Sequence, residues 1–351
     1  MERLTYTDVT VWVLVYNHKD TLARCLNSIL SQRTSYTFRI LVHDDASTDG
    51  SIEILRRTAQ GNSYMITPVY EAENQYSKGK SIVQDILLPI TNSKYAAFCE
   101  GDDCWCDINK LQRQIDYMEE HTECVVCAHN TIMEDDSTGR KKKFFRHRNV
   151  HIMNDHEIFH FTRAHASSYC VRTKYAHIPE YTRGYWFGDY IMLTQMAAFG
   201  TIACLPQAMS IYHAGHPGSI TTENYRKGYE YVTQQLSGMS EYLKAYRYCM
   251  SDRQECDRTY GEGTISINRR AALILALTRE ITLRNGYLYI RRQLASMVTA
   301  KSIGRLRLRK EMAHHPAFRR YMRYGSWKEK LTAAAEITPA GFRIWKELRW
   351  H

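Results

Sequence analysis

Two groups of acidic residues carry the chemistry that is easiest to read from this chain. Asp44 and Asp45 follow one short apolar run, and Glu100, Asp102 and Asp103 follow another. Adjacent carboxylates repel each other, so such pairs are usually stabilised by a cation or by hydrogen-bond donors. A divalent metal that also binds phosphate oxygens is a common partner. Together the two groups predict a nucleotide-diphosphate site, although either one alone would more often be a solvated turn or a helix N-cap.

The surrounding pattern predicts how these carboxylates are positioned. An apolar strand over residues 9–17 precedes a helix with apolar positions from Leu22 to Leu30. A second strand over residues 38–42 precedes a helix that begins near Asp49 and Gly50. Strand and helix alternate, which is typical of a parallel α/β sheet. Ligands bind at the carboxyl ends of such strands, where both acidic groups are predicted to lie.

Five motifs in a fixed order give the chain a specific resemblance to a known family. It resembles the family-two inverting glycosyltransferases of GT-A fold, in the branch common in bacterial cell-surface polysaccharide synthesis. The likeness covers about residues 8–220. The matching segments are residues 13–17, 28–32, 44–50, 100–105 continuing into 110–114, and 186–190.

The resemblance implies a fold and a domain organisation. We expect an α/β protein with a GT-A (Rossmann-like) mixed, mainly parallel sheet flanked by helices. Residues 1–222 would form the catalytic domain, and residues 223–351 a mainly helical, basic C-terminal extension.

It also implies a donor site. The base of the nucleotide would lie against Val15 and Tyr16, and Asp45 would accept a hydrogen bond from a uracil-type imide. Asn17 and Asp44 would shape that pocket. We therefore expect a nucleotide-sugar donor, with a UDP-sugar favoured.

The remaining predicted site residues serve the sugar, the metal and the acceptor. Glu100, Gly101 and Asp102 are expected to border the nucleotide sugar. Glu100, which replaces the first Asp of the family's Asp-x-Asp, is expected to contact the sugar or ribose. Asp102 and Asp103 are predicted to bind Mn²⁺ or Mg²⁺, which would stabilise the departing diphosphate. The acceptor hydroxyl must lose its proton, and Asp189 is the predicted general base, although an Asp after Gly at a helix start also serves as a cap.

One motif of the family departs from its pattern near the end of the predicted catalytic domain. The family tends to carry Tyr-Arg-x-His, whereas this chain has Tyr212 and His213, then His216, without the Arg. His216 is the predicted third metal ligand. A packed or solvent-bridged role for His213 and His216 remains an alternative.

Composition agrees with an ordinary globular enzyme. Of 351 residues, 44% are hydrophobic and 24% charged. We expect no signal peptide, no membrane-spanning segment and reduced cysteines, hence a cytoplasmic protein. The cluster of His121, Cys124, Cys127 and His129 could serve zinc or redox chemistry, but no second Cys-x-x-Cys accompanies it. Residues 124–128 are instead predicted to form a buried strand of small apolar residues.

Positive charge is concentrated in the last 51 residues. Residues 301–351 contain thirteen Lys and Arg and four Glu, with Trp and Phe interleaved. Such a segment suits the anionic face of a membrane, so peripheral docking on the inner face of the cytoplasmic membrane is one prediction. Helices packed on the catalytic domain with a solvated basic face are an equal alternative. No nucleic acid is expected, because no recognition motif accompanies the charge.

A shorter basic hairpin is predicted at residues 137–148, as a solvated loop or a contact for an acidic acceptor or lipid.

The predicted function is transfer of a sugar to a hydroxyl of a lipid-linked or polysaccharide acceptor. A nucleotidyltransferase is the alternative enzyme, but it should carry a Gly-rich, Lys- or Arg-bearing loop after the first strand, where this chain has residues 16–20. A non-catalytic basic scaffold on the same fold is the third hypothesis. The joint presence of Asp45, Asp102, Asp103 and Asp189 argues against a scaffold.

Overall fold

A single mixed sheet organises the part of the chain that the structure describes. The structure is a computed structural model, and it describes residues 4–135, 139–159, 164–182, 187–214, 228–261 and residue 269. Ten strands lie in the sheet. They are β1 Thr7–Val15, β2 Phe38–Asp44, β3 Ile66–Tyr70, β4 Ser93–Glu100, β5 Cys104–Trp105, β6 Cys124–Asp135, β7 Arg140–Lys143, β8 His151–Ile152, β9 Cys170–Arg172 and β10 Thr201–Ala214.

The order of the strands is β3-β2-β1-β4-β9-β6-β10-β5, with β7 paired to β6 and β8 to β10. Strands β3, β2, β1 and β4 are parallel to one another, as are β6 and β10. The short strand β9 is antiparallel to both β4 and β6 and joins the two groups. The predicted α/β architecture with a mainly parallel sheet is confirmed.

Helices cover both faces of the sheet. They are α1 Leu22–Leu30, α2 Ser51–Gly61, α3 Leu88–Ile90, α4 Lys110–Glu120, α5 Asp155–Ile158, α6 Gly188–Met196, α7 Gly228–Ser251 and α8 Arg253–Tyr260. Within β1, Val11 and Val13 pack into one hydrophobic cluster with α1 and α4, while Trp12 packs into another with α6 and α7. Alternate side chains of a strand point to opposite faces, so a strand buried on both faces is apolar throughout.

Two sequence-based predictions about strands are confirmed and one is corrected. Residues 124–128 are buried in β6, and β7 pairs with β6 to form the basic hairpin. The family resemblance also predicts that His165–Arg172 is the strand bordering the acceptor site, but only Cys170–Arg172 is a strand. The prediction was wrong for the first residues, because the His165 ring accepts a hydrogen bond from the Ser167 N–H and starts one turn of 3₁₀ helix.

The first part of the predicted C-terminal extension packs on α6. Tyr242 and Tyr246 of α7 are fully buried and stack 6.0 Å apart. The Tyr246 hydroxyl donates to the Thr194 carbonyl over 2.9 Å, and the Gln195 amide donates to Tyr242 over 3.1 Å. No helix among the described residues is long and apolar enough to cross a membrane. Residues 301–351 lie outside the described residues.

Candidate active site

The turns that follow β1 and β2 are tied to each other by hydrogen bonds. Asn17 adopts a left-handed backbone conformation (φ 58°), its side-chain oxygen accepts from the Thr48 N–H over 2.8 Å, and its own N–H donates to the Ser47 hydroxyl. Asp44 accepts from the Ser47 N–H over 2.9 Å, and its second, buried oxygen has no hydrogen bond to any residue that the structure describes. Asn17 and Asp44 therefore hold the shape of these turns.

The side chains next to these turns differ in exposure. Val15 is buried, whereas Tyr16 is 42% exposed. Asp45 is buried and accepts from the backbone N–H groups of Gln75 and Tyr76, over 2.6 and 3.1 Å. Its carboxylate fixes the loop that follows β3. Each oxygen keeps a further lone pair, so a hydrogen bond to a ligand would be an additional one.

Glu100, Asp102 and Asp103 come together at the carboxyl end of β4. One ligand oxygen from each lies within 4.8 Å of the others. Among the described residues, one oxygen of Asp102 and both oxygens of Asp103 are buried without a hydrogen bond. Buried carboxylate oxygens are costly unless they are paired or bind a metal. Oxygen ligands in this number fit Mg²⁺ or Mn²⁺.

At Gly101 the backbone of this cluster lies close to Leu14 of β1 and to the His18 ring. Its N–H donates to the Leu14 carbonyl over 2.8 Å, which joins the end of β4 to β1. A Cβ at this position would lie 2.5 Å from Nδ1 of His18 and 3.2 Å from the Leu14 carbonyl oxygen. The structure places Gly101 where a side chain has no room.

Electrostatics in the cluster disfavour negative charge. Burial, followed by the charges of Asp102 and Asp189, raises the pKa of Glu100 to about 8. Burial, followed by the charges of Asp102 and Glu100, raises the pKa of Asp103 well above its ordinary value. A divalent cation would remove both effects by pairing with the carboxylates. The donor set therefore fits a metal ion.

Asp189 lies in the first turn of α6, near enough to Glu100 for its charge to contribute to the raised pKa of Glu100. One carboxylate oxygen accepts from the N–H of the next residue, Tyr190, over 2.8 Å, and the side chain does not cap the helix. Glu100 and Asp189 are open to solvent, yet protein atoms surround them closely enough that burial raises the pKa of each. That combination is the geometry of a concave site. His216 lies outside the described residues, and His213 is buried on β10.

His165 is a site residue to which the sequence assigned no role. Its Nδ1 lies 3.5 Å from a carboxylate oxygen of Asp103. Burial lowers the pKa of His165 to about 4, so the ring is neutral at ordinary pH. The only sequence signal was the polar His-Ala-Ser-Ser segment ahead of an apolar strand.

Comparison with known proteins identifies the family. Residues 10–188, just over half of the chain, match Glycosyl transferase family 2. The chain belongs to this family.

The chain is also similar to several individual proteins. An uncharacterized protein of Mycobacterium tuberculosis is 26% identical over 251 residues, which is 70% of each chain. The Escherichia coli protein WfaP, a UDP-Glc:alpha-D-GlcNAc-diphosphoundecaprenol beta-1,3-glucosyltransferase, is 32% identical over 111 residues, covering 32% of this chain and 41% of that protein.

Solved structures agree on the fold. The mannosyltransferase PcManGT from Pyrobaculum calidifontis, in complex with GDP-Man and Mn²⁺, superposes with a TM-score of 0.51 at 15% identity. The match covers 98% of this chain and 89% of PcManGT. S. aureus TarS 1-349 with UDP-GlcNAc superposes with a TM-score of 0.50 at 14% identity, over 94% of this chain and 91% of the TarS 1-349 chain. The family-2 assignment makes the protein a glycosyltransferase and decides against the nucleotidyltransferase and scaffold hypotheses.

The fourth family-2 motif has a structural role that the sequence did not reveal. Lys110 is fully buried, donates to the Gln114 side-chain oxygen over 2.7 Å and lies 4.0 Å from the centre of the Trp105 ring. Gln114 in turn donates to the carbonyls of Ser168 and Cys127. Burial lowers the pKa of Lys110 to about 8. Through the hydrogen bond from Gln114 to Ser168, this motif connects α4 to the 3₁₀ turn that follows His165.

Proposed function

We propose that this family-2 protein is an inverting, metal-dependent glycosyltransferase that uses a nucleotide-diphosphate sugar, with UDP as the favoured nucleotide. One observation carries the proposal. The ligand oxygens of Glu100, Asp102 and Asp103 lie within 4.8 Å of one another, and Asp189 is near enough for its charge to contribute to the raised pKa of Glu100. Metal-binding carboxylates and a separate carboxylate are the two parts that such a displacement needs.

The chain's own residues would divide the work as follows. Asp102 and Asp103 hold the metal, which when bound offsets the negative charge of the departing diphosphate. Val15, Tyr16 and Asp45 border the nucleotide, Asn17 and Asp44 keep its turns in shape, and Glu100 and Gly101 lie against the sugar or ribose.

Asp189 would accept the proton of the acceptor hydroxyl. Its local hydrogen bond from the Tyr190 N–H keeps the carboxylate in place and leaves further lone pairs for the acceptor. The raised pKa of Asp189 brings its basicity closer to that of an effective general base than an ordinary aspartate. A single displacement from the opposite face of the sugar inverts the anomeric centre.

For the acceptor, we propose a sugar hydroxyl of a lipid-linked or polysaccharide chain. WfaP transfers glucose to a sugar on diphosphoundecaprenol, as its name states, and its similarity to this chain supports an acceptor of that class. Residues 301–351 would then hold the enzyme at the inner face of the membrane, because about 1 kcal/mol per basic residue suffices for reversible docking when several engage. The domain boundary near residue 222 and the metal contact of His216 also remain proposals.

Thermal shift with nucleotides tests the donor site. UDP with Mn²⁺ or Mg²⁺ should raise the melting temperature more than UDP alone and more than GDP with the same metal. Asp102→Asn or Asp103→Asn should abolish the metal-dependent part, whereas Asp20→Asn, at an exposed position, should not. Equal metal-dependent shifts in all three variants would refute the site.

The stereochemistry of the reaction tests the displacement. The enzyme should slowly hydrolyse its nucleotide-sugar donor, and early NMR spectra of the released sugar should show the inverted anomer. A retained anomer would refute a single displacement.

Flotation with anionic liposomes tests membrane docking. The full-length protein should float at low salt and lose most of this binding at high salt, because salt screens exposed charges. A chain that ends near residue 299 should remain unbound while it keeps its UDP-dependent shift. Equal flotation of both proteins would contradict a docking role for the C-terminal segment.

A further inference from the structure

The basic hairpin of β6 and β7 extends the ligand-binding edge of the sheet. Ala97 of β4 and Cys127 of β6 both pair with Cys170 of β9, and both strands run antiparallel to β9. The strands β4 and β6 are therefore parallel, and Glu100 lies level with Asn130 along the sheet. The rest of β6 continues beyond the carboxylate cluster, and β7 returns beside it. The hairpin thus stands at the edge where ligands bind to such sheets.

Aromatic rings connect this hairpin to the carboxylate cluster. A ring nitrogen of His165 lies 3.5 Å from a carboxylate oxygen of Asp103, and the His165 ring stacks on Tyr212 with the ring centres 4.2 Å apart. Phe144, which directly follows β7, lies 5.7 Å from the His165 ring and 6.4 Å from the Tyr212 ring. Phe144 and Tyr212 are both half-buried. A continuous wall of rings therefore leads from Asp103 to the end of β7.

Two basic side chains of β7 lie on the same face as this wall. Lys142 pairs with Met133 of β6, and Met133 pairs with Tyr212 of β10. Side chains of paired residues lie on one face of a sheet, and side chains alternate along a strand. Arg140 and Lys142 therefore share the face of Phe144, and both are exposed.

The acidic residues of the hairpin do not outnumber the basic ones on this face. Asp135, the register partner of Arg140, is the acid that the described part of the hairpin places there. Lys141 lies on the opposite face, where its Nζ is 3.1 Å from a carboxylate oxygen of Glu134. The hairpin therefore offers a positively charged surface beside the rings, and a lysine of equal charge on its other face.

The position of β7 suits a phosphate that follows an acceptor sugar. β9 and β6 separate β7 from β4, and neighbouring strands lie about 4.8 Å apart, so β7 lies about 14 Å from β4. An extended lysine side chain spans part of this distance, and a sugar unit spans much of the remainder. When a hydroxyl of the acceptor sugar lies at the carboxylate cluster, a phosphate on the other side of that sugar comes within reach of Lys142.

We propose that Lys142 and Arg140 bind the diphosphate of a lipid-linked acceptor, whose sugar lies along Phe144 and Tyr212. This inference rests on the proposed function, and it narrows the acceptor to one with phosphate next to the sugar that is extended. Lysine and arginine donate charge-assisted hydrogen bonds to phosphate oxygens. The two residues are separate from the metal-binding carboxylates, so they do not compete for the diphosphate of the donor.

Calorimetry with farnesyl diphosphate tests this subsite. The full chain is first saturated with UDP and Mn²⁺, so that the donor site is filled. The parent should then bind farnesyl diphosphate but not farnesol, with an affinity that falls as salt is added. Lys142→Gln should raise the Kd about tenfold, as expected for loss of a hydrogen bond between charged groups. The double variant Arg140→Gln/Lys142→Gln should raise it further.

Lys141→Gln is the matched control, because it removes the same charge from the opposite face of β7. It should bind farnesyl diphosphate like the parent, and Lys142→Arg should retain most of the affinity. The UDP-dependent and Mn²⁺-dependent melting shift of each variant shows that the donor site is intact. Equal losses of affinity in Lys141→Gln and Lys142→Gln would overturn a specific phosphate subsite.

Three further outcomes separate this inference from its alternatives. A parent that binds UDP with Mn²⁺ but not farnesyl diphosphate would overturn the inference and leave the proposed donor site standing. If Lys142→Gln floats less well with phosphatidylglycerol vesicles but binds farnesyl diphosphate like the parent, the hairpin contacts the membrane surface instead, and the inference is wrong. A parent that binds UDP with neither Mn²⁺ nor Mg²⁺ would overturn both the proposed function and the inference.

Discussion

The two sides of the cleft are built in different ways. On the donor side, residues 7–105, polar side chains bind the backbone of neighbouring turns, as Asn17 does with Thr48 and Asp45 with Gln75. On the acceptor side, residues 164–214, α6 is held by packing against aromatic side chains of α7. A site fixed by local backbone contacts tolerates little change, whereas a packed helix can be repacked. We therefore expect donor recognition to depend on the side fixed by backbone contacts and acceptor choice to depend on the side that can be repacked.

The strongest test of this comparison separates the chemical step from donor binding. Asp189→Asn keeps the shape of the side chain and removes its ability to accept a proton, so turnover should fall by about 10²–10⁴-fold. Binding of UDP with Mn²⁺ should be unchanged, because the residue lies on the acceptor side. Steady-state kinetics and calorimetry of both proteins provide the measurement. Turnover within a few-fold of the parent would reduce Asp189 to a local turn residue.

Lys110 tests the comparison at a position linked to both sides. It lies against Trp105 on the donor side, and it donates to Gln114, which donates to the Ser168 carbonyl on the acceptor side. Its folded pKa, about 8, is below the ordinary value of 10.5, so between these values the unfolded chain binds more protons. The stability of the parent should therefore rise with pH in this window relative to Lys110→Met, by about 1.4 kcal/mol per unit. Denaturant unfolding at pH 7.5, 8.5 and 9.5 measures the difference. A constant difference across these pH values would show that Lys110 does not titrate there.

Gly101, on the donor side, should not tolerate a side chain. An added Cβ would lie 2.5 Å from the His18 ring and 3.2 Å from the Leu14 carbonyl, so Gly101→Ala should cost about 1–3 kcal/mol of unfolding free energy and weaken UDP binding. Gly61→Ala is the matched control, since a Cβ there meets nothing within 4 Å. Denaturant unfolding of the two variants decides the point, and equal stabilities would contradict a close approach at Gly101.

The packed side should respond more mildly to loss of a single polar contact. Tyr246→Phe removes the hydrogen bond to the Thr194 carbonyl and keeps the ring, so we expect a loss of about 1 kcal/mol. The melting temperature should fall by a few degrees, and the KM for the acceptor should change more than UDP affinity does. Tyr248→Phe, at a position 66% exposed, should melt like the parent. A larger effect on UDP affinity than on the acceptor KM would reverse the assignment of the two sides.

Sequence reasoning reached the donor side more completely than the acceptor side, for a physical reason. Strand ends and turn residues are local, so the motif around Asp44 and the cluster around Asp102 could be predicted to share one edge of the sheet. The contact between His165 and Asp103 could not, because it depends on β9 lying between β4 and β6. The 3₁₀ turn at Ala166–Ser168 also depends on a side-chain cap that no periodic pattern reveals.

The parallel pairing of β6 with β10 has a consequence for the order of folding. Cys124 pairs with Thr201, so the strands close a long loop that contains β9 and α6. Closing such a loop costs chain entropy before its contacts form, whereas β1, α1 and β2 are consecutive in sequence and close a much shorter one. We expect the nascent chain to form the nucleotide-facing strands early and to set Asp189 in place late. Amide exchange during refolding should accordingly protect β1 before β10.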